Sequence, residues 1–301
     1  MRILITGCNG QLGNEMQLLE KENQQHTYFN TDVAELDITD EEAINRFVTD
    51  NEIDGIVNCA AYTAVDKAEE NQELCHKLNA TAPGLLAKAI EKRGGWMIQI
   101  STDYVFDGTN HRPYTEDESV CPNSTYGRTK LEGEQEVTNG CKRSMIIRTA
   151  WLYSTFGNNF VKTMIRLGKE KPELGVIFDQ IGTPTYARDL AVAIFAAINQ
   201  GIVPGIYHFS NEGVISWYDF TKAIHRIASI NTCHVSPGKA LSPCLLFLLA
   251  SKDNGLGTRL IQSRFSFGLR CKVFLDDLQV FEAGKFHLSI LTSSSSKISV
   301  L

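Results

Sequence analysis

A glycine-rich turn near the start of the chain constrains its fold more than any other segment. Residues 2–6 read RILIT, an apolar run typical of a buried strand, and residues 7–13 read GCNGQLG before helical spacing begins. Glycine lets the backbone turn sharply and lets a pyrophosphate approach the N-terminus of the next helix, whose dipole favours negative charge. The turn therefore predicts a dinucleotide-binding βαβ unit.

Strand-like apolar runs alternate with helical patterns along the chain. The sequence predicts strands at residues 1–6, 27–31, 53–61, 96–101 and 144–153. It predicts helices at residues 11–22, 65–93 (interrupted near Pro83) and 124–138. Such alternation produces a parallel sheet with helices on both faces, so we expect an α/β fold with a Rossmann-like, doubly wound parallel sheet. Ligands should bind beyond the carboxyl ends of its strands.

The chain divides into three stretches by pattern. Residues 1–150 read as an NAD(P)-binding Rossmann domain. Residues 151–237 read as a mixture of a small substrate-binding lobe and the remaining Rossmann elements. Residues 238–301 lack clear amphipathic periodicity and mix apolar runs with glycine and serine.

An acidic residue follows the second predicted strand. Asp32 lies 19 residues after Gly13, and its surroundings, TDVAE, contain no arginine or lysine. A carboxylate there accepts hydrogen bonds from an adenosine ribose and repels a 2′-phosphate. The sequence therefore favours NADH over NADPH, although a solvated loop acid would give the same pattern.

A tyrosine and a lysine four residues apart form the candidate catalytic pair. Tyr126 and Lys130 fall on one face of a predicted helix. A free tyrosine has a pKa of about 10, which is too high for easy proton exchange at neutral pH. A nearby ammonium group and a cofactor cation stabilise the phenolate, so this tyrosine can serve as a general acid or base.

Two polar residues accompany this pair. Thr102 directly follows a predicted strand, where its hydroxyl can hydrogen-bond a substrate carbonyl or merely cap a loop. Asn79 can hold a water molecule or a backbone bend beside the tyrosine, or cap a helical segment before Pro83.

Charge and cysteine content argue against several classes of protein. With a net charge of −6, the chain offers no footprint for nucleic acid and no polybasic patch for anionic lipid. Its eight cysteines form no C-x-x-C pair, so we predict no metal site. The first apolar run is too short for a signal peptide, and no run is long enough to span a bilayer. We expect a cytoplasmic protein without membrane contact.

Five longer segments narrow the function. They read NCAAYTAVDKAE at 58–69, STDYVFDG at 101–108, RTAWLY at 148–153, GNNF at 157–160 and DQIGTPT at 179–185. Together with the glycine-rich turn, Thr102, Tyr126 and Lys130, they resemble the dTDP-4-dehydrorhamnose reductase family, a branch of the extended short-chain dehydrogenases/reductases. The resemblance covers residues 1 to about 237.

The resemblance implies roles for individual residues. Tyr126 would be the proton donor, and Lys130 would bind the nicotinamide ribose and tune Tyr126. Thr102 would be catalytic and, with Asp103 and Trp151, would contact the substrate, although Trp151 could equally fill the core. The implied cofactor-binding residues are Gly7, Gly10, Gln11, Leu12, Gly13, Asp32, Ala61, Tyr62, Thr63, Tyr126 and Lys130. Weaker substrate candidates are Asn158, Asn159 and the turn at 182–185.

The implied reaction reduces the 4-keto group of dTDP-4-dehydro-6-deoxy-L-mannose to dTDP-L-rhamnose with NADH or NADPH. One alternative is a sugar-nucleotide epimerase or dehydratase, although the dehydratases' Asp-Glu pair is absent because Tyr104 follows Asp103. Another is a non-catalytic protein similar to the regulatory subunit of methionine adenosyltransferase. Some relatives are dimers that share a magnesium site, so a homodimer and Mg²⁺ stay open, and the sequence places no acids for the metal.

The resemblance ends near Pro237. The family continues with a Pro-x-x-Ala-x-Arg-Pro-like stretch and a closing helix, whereas this chain reads GKALSPCLLFLL at 238–249 and SSSSKISVL at 293–301. We therefore expect residues 238–301 to be a poorly ordered tail foreign to the family, produced by an altered reading frame, which leaves the substrate lobe incomplete. A divergent but folded extension is the alternative.

Overall fold

A six-stranded parallel sheet lies at the centre of the structure, a computed structural model that describes residues 1–239 and 244–245. The strands are β1 (Arg2–Thr6), β2 (Thr27–Thr31), β3 (Gly55–Asn58), β4 (Trp96–Thr102), β5 (Ser144–Thr149), β6 (Leu152–Tyr153), β7 (Glu173–Ile177), β8 (Gln180–Gly182), β9 (Thr185–Tyr186), β10 (Gly205–His208), β11 (Ile215–Ser216), β12 (His234–Gly238) and β13 (Cys244–Leu245). The central sheet has the order β10-β5-β4-β3-β1-β2. This arrangement confirms the predicted Rossmann-like parallel sheet.

Helices cover both faces of this sheet. Successive strand residues point to opposite faces, and apolar side chains on both faces are buried by packing against helices. The helices are α1 (Gln11–Leu19), α2 (Glu41–Asp50), α3 (Val65–Ala68), α4 (Gln72–His76), α5 (Ala82–Glu91), α6 (Thr125–Gly140), α7 (Phe160–Glu170), α8 (Ala187–Gln200) and α9 (Trp217–Ile227). Ile3 and Ile5 pack in one core cluster with residues of α1 and α8, whereas Leu4 packs in the other with α2, α5 and α6. The sheet therefore lies between two buried apolar layers, one on each face.

The strand order reverses at β1. From β1 the chain places β2 on one side and β3 on the other. In such sheets the loops after these strands separate and leave a crevice at the carboxyl edge, where ligands bind. The glycine-rich turn follows β1 directly, so the fold brings it to this crevice.

The structure departs from the predicted elements at two places. The strand expected at 144–153 divides into β5 and β6, because Trp151 between them has a φ of +48°. The helix expected at 65–93 is interrupted before Pro83: it breaks between α3 and α4 and then widens into a π-helical turn at Lys77–Thr81. Pro83 itself lies in the first turn of α5, where its missing N–H costs nothing.

A smaller lobe is built from the elements after β5. Strands β7 and β12 pair in parallel, and β8 pairs with β11 and β13. Helices α7 and α9 enclose an aromatic cluster with Tyr153, Tyr186 and Phe220. In contrast, α8 and β10 join the Rossmann half, as the mixed pattern of residues 151–237 suggests. The domain boundaries themselves stay a prediction.

The predicted foreign tail lies outside the described residues, apart from positions 238–239 and the strand β13. Within the described part of the chain, no helix is long and apolar enough to cross a membrane.

A buried ion pair attaches α6 to the sheet. Arg148 on β5 donates to the carboxylate of Glu134 on α6 from Nε at 2.9 Å and from Nη2 at 2.7 Å. The hydroxyl of Ser101 on β4 donates to the same carboxylate at 2.5 Å. Both charged side chains are almost fully buried, with 2% of Arg148 and 3% of Glu134 exposed. One carboxylate thus connects the helix to two central strands.

We expect Arg148→Met to lower the free energy of unfolding by about 3–5 kcal/mol, because it leaves the Glu134 carboxylate buried without its cation. The double variant Arg148→Met/Glu134→Gln should recover part of that loss, since no charge then stays unpaired. Denaturant unfolding measures both. The matched control is Arg166→Met, which breaks an exposed pair with Glu170 and should cost less than about 1 kcal/mol. Equal losses for Arg148→Met and Arg166→Met would contradict this account.

Candidate active site

The turn between β1 and α1 has the backbone that a phosphate site requires. Gly7 has a φ of +65°, and a Cβ there would lie 2.7 Å from the Cα of Ala60, so only glycine fits. A Cβ on Gly13 would lie 2.5 Å from the Cα of Cys8. Because Gly10, the N-cap of α1, has no side chain to cap the helix, the first N–H groups of α1 can bind an anion.

Asp32 lies at the end of β2 beside this turn. Its carboxylate accepts the N–H of Asn9 at 3.1 Å and the N–H of Val33 at 2.8 Å. The half-buried side chain also lines the cavity described below. The carboxylate therefore supports the glycine-rich turn and faces the space next to it.

An asparagine fixes the loop after β3. The side-chain amide of Asn79 accepts the N–H of Tyr62 at 2.8 Å and donates to the carbonyl of Tyr62 at 3.1 Å. Asn79 is almost fully buried in the π-helical turn, and a Cβ on Gly133 of α6 would overlap its carbonyl oxygen. Of the three roles that the sequence left open, the structure favours holding a backbone bend.

Tyr126 and Lys130 lie side by side in the first turns of α6, which Ser124 caps. Burial raises the pKa of Tyr126 above its ordinary value, while a hydrogen bond with Thr102 opposes that shift. Burial lowers the pKa of Lys130 to about 8, while the Glu134 carboxylate opposes that shift. The Lys130 ammonium donates to the carbonyl of Ile100 at 2.6 Å. Near neutral pH the phenol therefore carries its proton and can act as an acid.

Thr102 ends β4 opposite this tyrosine, and Asp103 follows it in a short 3₁₀ turn. The Thr102 hydroxyl donates to the Asp103 carboxylate at 2.9 Å and accepts the N–H of Tyr104 at 3.2 Å. Asp103 is only 2% exposed, and burial raises its pKa to about 7. A carboxyl whose pKa is raised by burial therefore lies in the same cavity as the phenol, hydrogen-bonded to Thr102.

Trp151 occupies the opposite wall. Its positive φ aims the indole at Gly182, where a Cβ would lie only 2.5 Å from the ring. Its other neighbour is Trp217, with ring centroids 3.5 Å apart and planes at 9°. Our sequence reasoning missed Trp217, because no local pattern connects two positions so distant in the chain.

These groups share a cavity of about 870 Å³ at the carboxyl edge of the sheet. The predicted residues that line it are Gly7, Gly10, Gln11, Leu12, Asp32, Ala61, Thr63, Thr102, Asp103, Tyr126, Lys130 and Trp151. Gly13 and Tyr62 do not line it: Gly13 packs closely against the backbone of Cys8, and the backbone of Tyr62 is held by Asn79. Asn158 and Asn159 also line the cavity, as do Val33, Leu36, Ile38 and Trp217, which the sequence did not single out. Across the described residues, no cluster of three His, Cys, Asp or Glu could hold a metal.

Comparisons with known proteins agree with this geometry. The family model described as the RmlD substrate binding domain matches residues 1–244. A dTDP-4-dehydrorhamnose reductase of Aggregatibacter actinomycetemcomitans is 40% identical over 228 residues, which are 74% of this chain and 78% of that protein. The enzyme of the same name from Escherichia coli K12 is 41% identical over 230 residues, covering 74% and 77%.

Solved structures of proteins with the same name also superpose on this chain. A dTDP-4-dehydrorhamnose reductase from Clostridium acetobutylicum superposes with a TM-score of 0.87 at 42% identity, over 93% of this chain and 100% of that one. The Bacillus anthracis protein of that name, in complex with NADP, gives 0.85 at 37% identity, over 92% and 99%. A Thermus thermophilus UDP-glucose 4-epimerase gives 0.78 at 17% identity, which shows a shared fold alone.

We expect Gly7→Ala to abolish most cofactor binding, because its Cβ would meet the backbone of Ala60 and deform the phosphate turn. Isothermal titration with NADPH measures the dissociation constant. The matched control is Gly94→Ala: Gly94 has a similar φ of +67° but open space around a Cβ. Both variants carry the strain of a positive φ, about 1–2 kcal/mol, but only the first should lose affinity. An unchanged affinity of Gly7→Ala for NADPH would refute the assignment of this turn as the cofactor's phosphate site.

Proposed function

This chain belongs to the family of the RmlD substrate binding domain, and we propose that it reduces the 4-keto group of dTDP-4-dehydro-6-deoxy-L-mannose to dTDP-L-rhamnose. The observation that carries the proposal is the placement of Tyr126, Lys130 and Thr102 in one cavity with the phosphate turn. A nicotinamide bound there supplies the hydride that goes to carbon 4 of the sugar.

The chain's own residues supply the proton and the positioning. Tyr126 donates its phenolic proton to the oxygen on carbon 4 as negative charge develops there. Thr102 holds that oxygen beside the phenol through its hydroxyl. Lys130 uses one N–H to bind Ile100, and its other N–H groups remain to orient a ribose hydroxyl. Its positive charge, next to the phenol, stabilises the phenolate that is left.

The alternatives account for the site less well. A dehydratase would need a second acid after Asp103, and Tyr104 stands at that position. The epimerases and the dehydratase among the structural matches are less than 20% identical and share only the fold. A non-catalytic subunit would not need a buried phenol, a buried lysine and a threonine hydroxyl together in one cavity.

The choice of nicotinamide cofactor rests on Asp32. The sequence favoured NADH because this carboxylate would repel a 2′-phosphate. Two backbone N–H groups offset part of its charge, and a relative at 37% identity carries NADP. We therefore propose that the site accepts NADPH as well as NADH, with Asp32 weakening the binding of NADPH rather than preventing it.

Two further expectations are carried forward as proposals. The first is the set of domain boundaries: residues 1–150 would form the NAD(P)-binding domain, and residues 151–237 would supply substrate contacts such as Trp151 together with the remaining Rossmann elements. The second is a homodimer, which multi-angle light scattering of the purified protein would test directly.

We expect Tyr126→Phe to reduce turnover of the 4-keto sugar nucleotide by about 10²–10⁴-fold, because the positioned acid is lost while its ring packing stays. Nicotinamide absorbance measures turnover, and titration should show nearly unchanged cofactor affinity. Tyr207→Phe is the matched control, since it removes a buried phenol that donates to the carbonyl of Val203 and does not line the cavity. Near-normal turnover in Tyr126→Phe would contradict the proposed role.

We expect Asp32→Asn to tighten the binding of NADPH several-fold more than that of NADH, because only the former carries a 2′-phosphate. Titration of both cofactors against the wild type and the variant gives the ratio. An unchanged ratio would mean that Asp32 does not face the adenosine ribose.

A further inference from the structure

A loop of the small lobe reaches back to the first helix of the Rossmann half. Residues 154–159 connect β6 with α7. The hydroxyl of Ser154 donates to the carboxylate of Glu15 at 2.6 Å, and both side chains are almost fully buried. The side-chain amide of Asn159 donates to Oε1 of Gln11 at 3.1 Å. The loop therefore contacts the N-terminal half of α1, next to the glycine-rich turn.

Two backbone groups fix the orientation of the Asn159 amide. Its Oδ1 accepts the N–H of Lys162 at 3.1 Å and so caps α7, while its Nδ2 donates to the carbonyl of Ser154 at 2.6 Å. A reversed amide would set Nδ2 against an N–H donor and Oδ1 against a carbonyl acceptor. Nδ2 has one further N–H, so Asn159 must be the donor in its contact with Gln11.

The donor on Asn159 in turn fixes the amide of Gln11. Gln11 must present its Oε1 to Asn159, which leaves the Nε2 amino group with two N–H groups. In the described part of the chain, no group accepts from this Nε2. Gln11 lines the cavity and is the first residue of α1, directly after the Gly10 cap. Its N–H groups are therefore available to an anion at the N-terminus of α1.

We propose that Asn159 is a positioning residue for the nicotinamide cofactor: it holds the amide of Gln11 so that Nε2 donates to the cofactor's pyrophosphate. The inference rests on the proposed function, which places that pyrophosphate at the glycine-rich turn. This role replaces the substrate contact that the sequence suggested for Asn159. Both of its N–H groups are already used within the protein, which leaves a lone pair on Oδ1 as its remaining capacity for a ligand.

The same contact makes cofactor binding depend on the small lobe. Asn159 caps α7, and Val161 and Met164 of that helix belong to the buried core of the lobe. A cofactor that fixes Gln11 should therefore also stabilise the first turn of α7, because coupling between two sites acts in both directions.

Asn159→Asp should reverse the amide of Gln11. A carboxylate caps a helix as well as an asparagine does, but it cannot donate. Gln11 would then give Nε2 to the carboxylate and turn Oε1 toward the pyrophosphate. We expect the dissociation constant for NADPH, measured by isothermal titration, to rise roughly 10- to 100-fold, as for a lost hydrogen bond to a charged group. Asp40→Asn makes the reverse exchange at the cap of α2, outside the cavity, and should leave the affinity unchanged.

A double-mutant cycle with Gln11→Met separates positioning from the added charge. Methionine has a similar length but no amide, and direct repulsion between the new carboxylate and the pyrophosphate is the same in both backgrounds. If Asn159 acts through Gln11, the loss caused by Asn159→Asp should shrink to less than about three-fold in Gln11→Met. An equal loss in both backgrounds would overturn the proposal, and so would wild-type affinity in Asn159→Asp.

Hydrogen exchange tests the same coupling without relying on the folding of Asn159→Asp. In the wild type, NADPH should slow exchange of the Lys162 N–H, which Asn159 holds, because the cofactor fixes Gln11 and Gln11 fixes Asn159. In Gln11→Met this slowing should be lost, whereas slowing within the glycine-rich turn should remain. Equal slowing at Lys162 in both proteins, or none in either, would overturn the proposal.

These measurements separate the inference from the proposed function. A wild type that binds NADPH but does not oxidise it with the 4-keto sugar nucleotide would contradict the function, and the cycle would still decide the role of Asn159. Normal turnover without coupling between Asn159 and Gln11 would overturn the inference alone. A wild type that bound neither NADPH nor NADH would overturn both.

Discussion

The hydrogen-bonded ion pair between Glu134 and Arg148 is the contact on which the geometry of the site depends. It joins α6 to β5, and Ser101 extends it to β4. Tyr126 and Lys130 lie on α6, whereas Thr102 ends β4, so this attachment fixes the position of the Tyr126 phenol relative to the Thr102 hydroxyl. An unpaired member of such a pair would be a buried charge, which explains why the helix cannot shift without a large energetic cost.

The same helix also positions the loop after β3. Its close approach to Asn79 at Gly133 places the asparagine amide against the backbone of Tyr62, which follows β3. Burial then acts on the two central residues in a consistent way: it raises the pKa of Tyr126 and lowers that of Lys130. Both effects favour the neutral forms, so the phenol of Tyr126 keeps its proton until the reaction takes it.

Much of this arrangement could be predicted from the sequence because it is local. The turn after β1 and the spacing of Tyr126 and Lys130 depend only on neighbouring residues. Other features depend on contacts between distant positions. The stack of Trp151 on Trp217 and the pair of Glu134 with Arg148 arise from packing that no single segment encodes. The break at Trp151 was missed because a positive φ in a bulky residue runs against local preference and is held by tertiary contacts.

The most direct test of the central claim follows the hydride itself. The protein would be incubated with the 4-keto sugar nucleotide and with nicotinamide cofactor that carries deuterium at its transferable position, and the product would be examined by NMR. The account predicts dTDP-L-rhamnose with deuterium bound to carbon 4 of the sugar. A sugar product without deuterium, or with deuterium at another carbon, would contradict it.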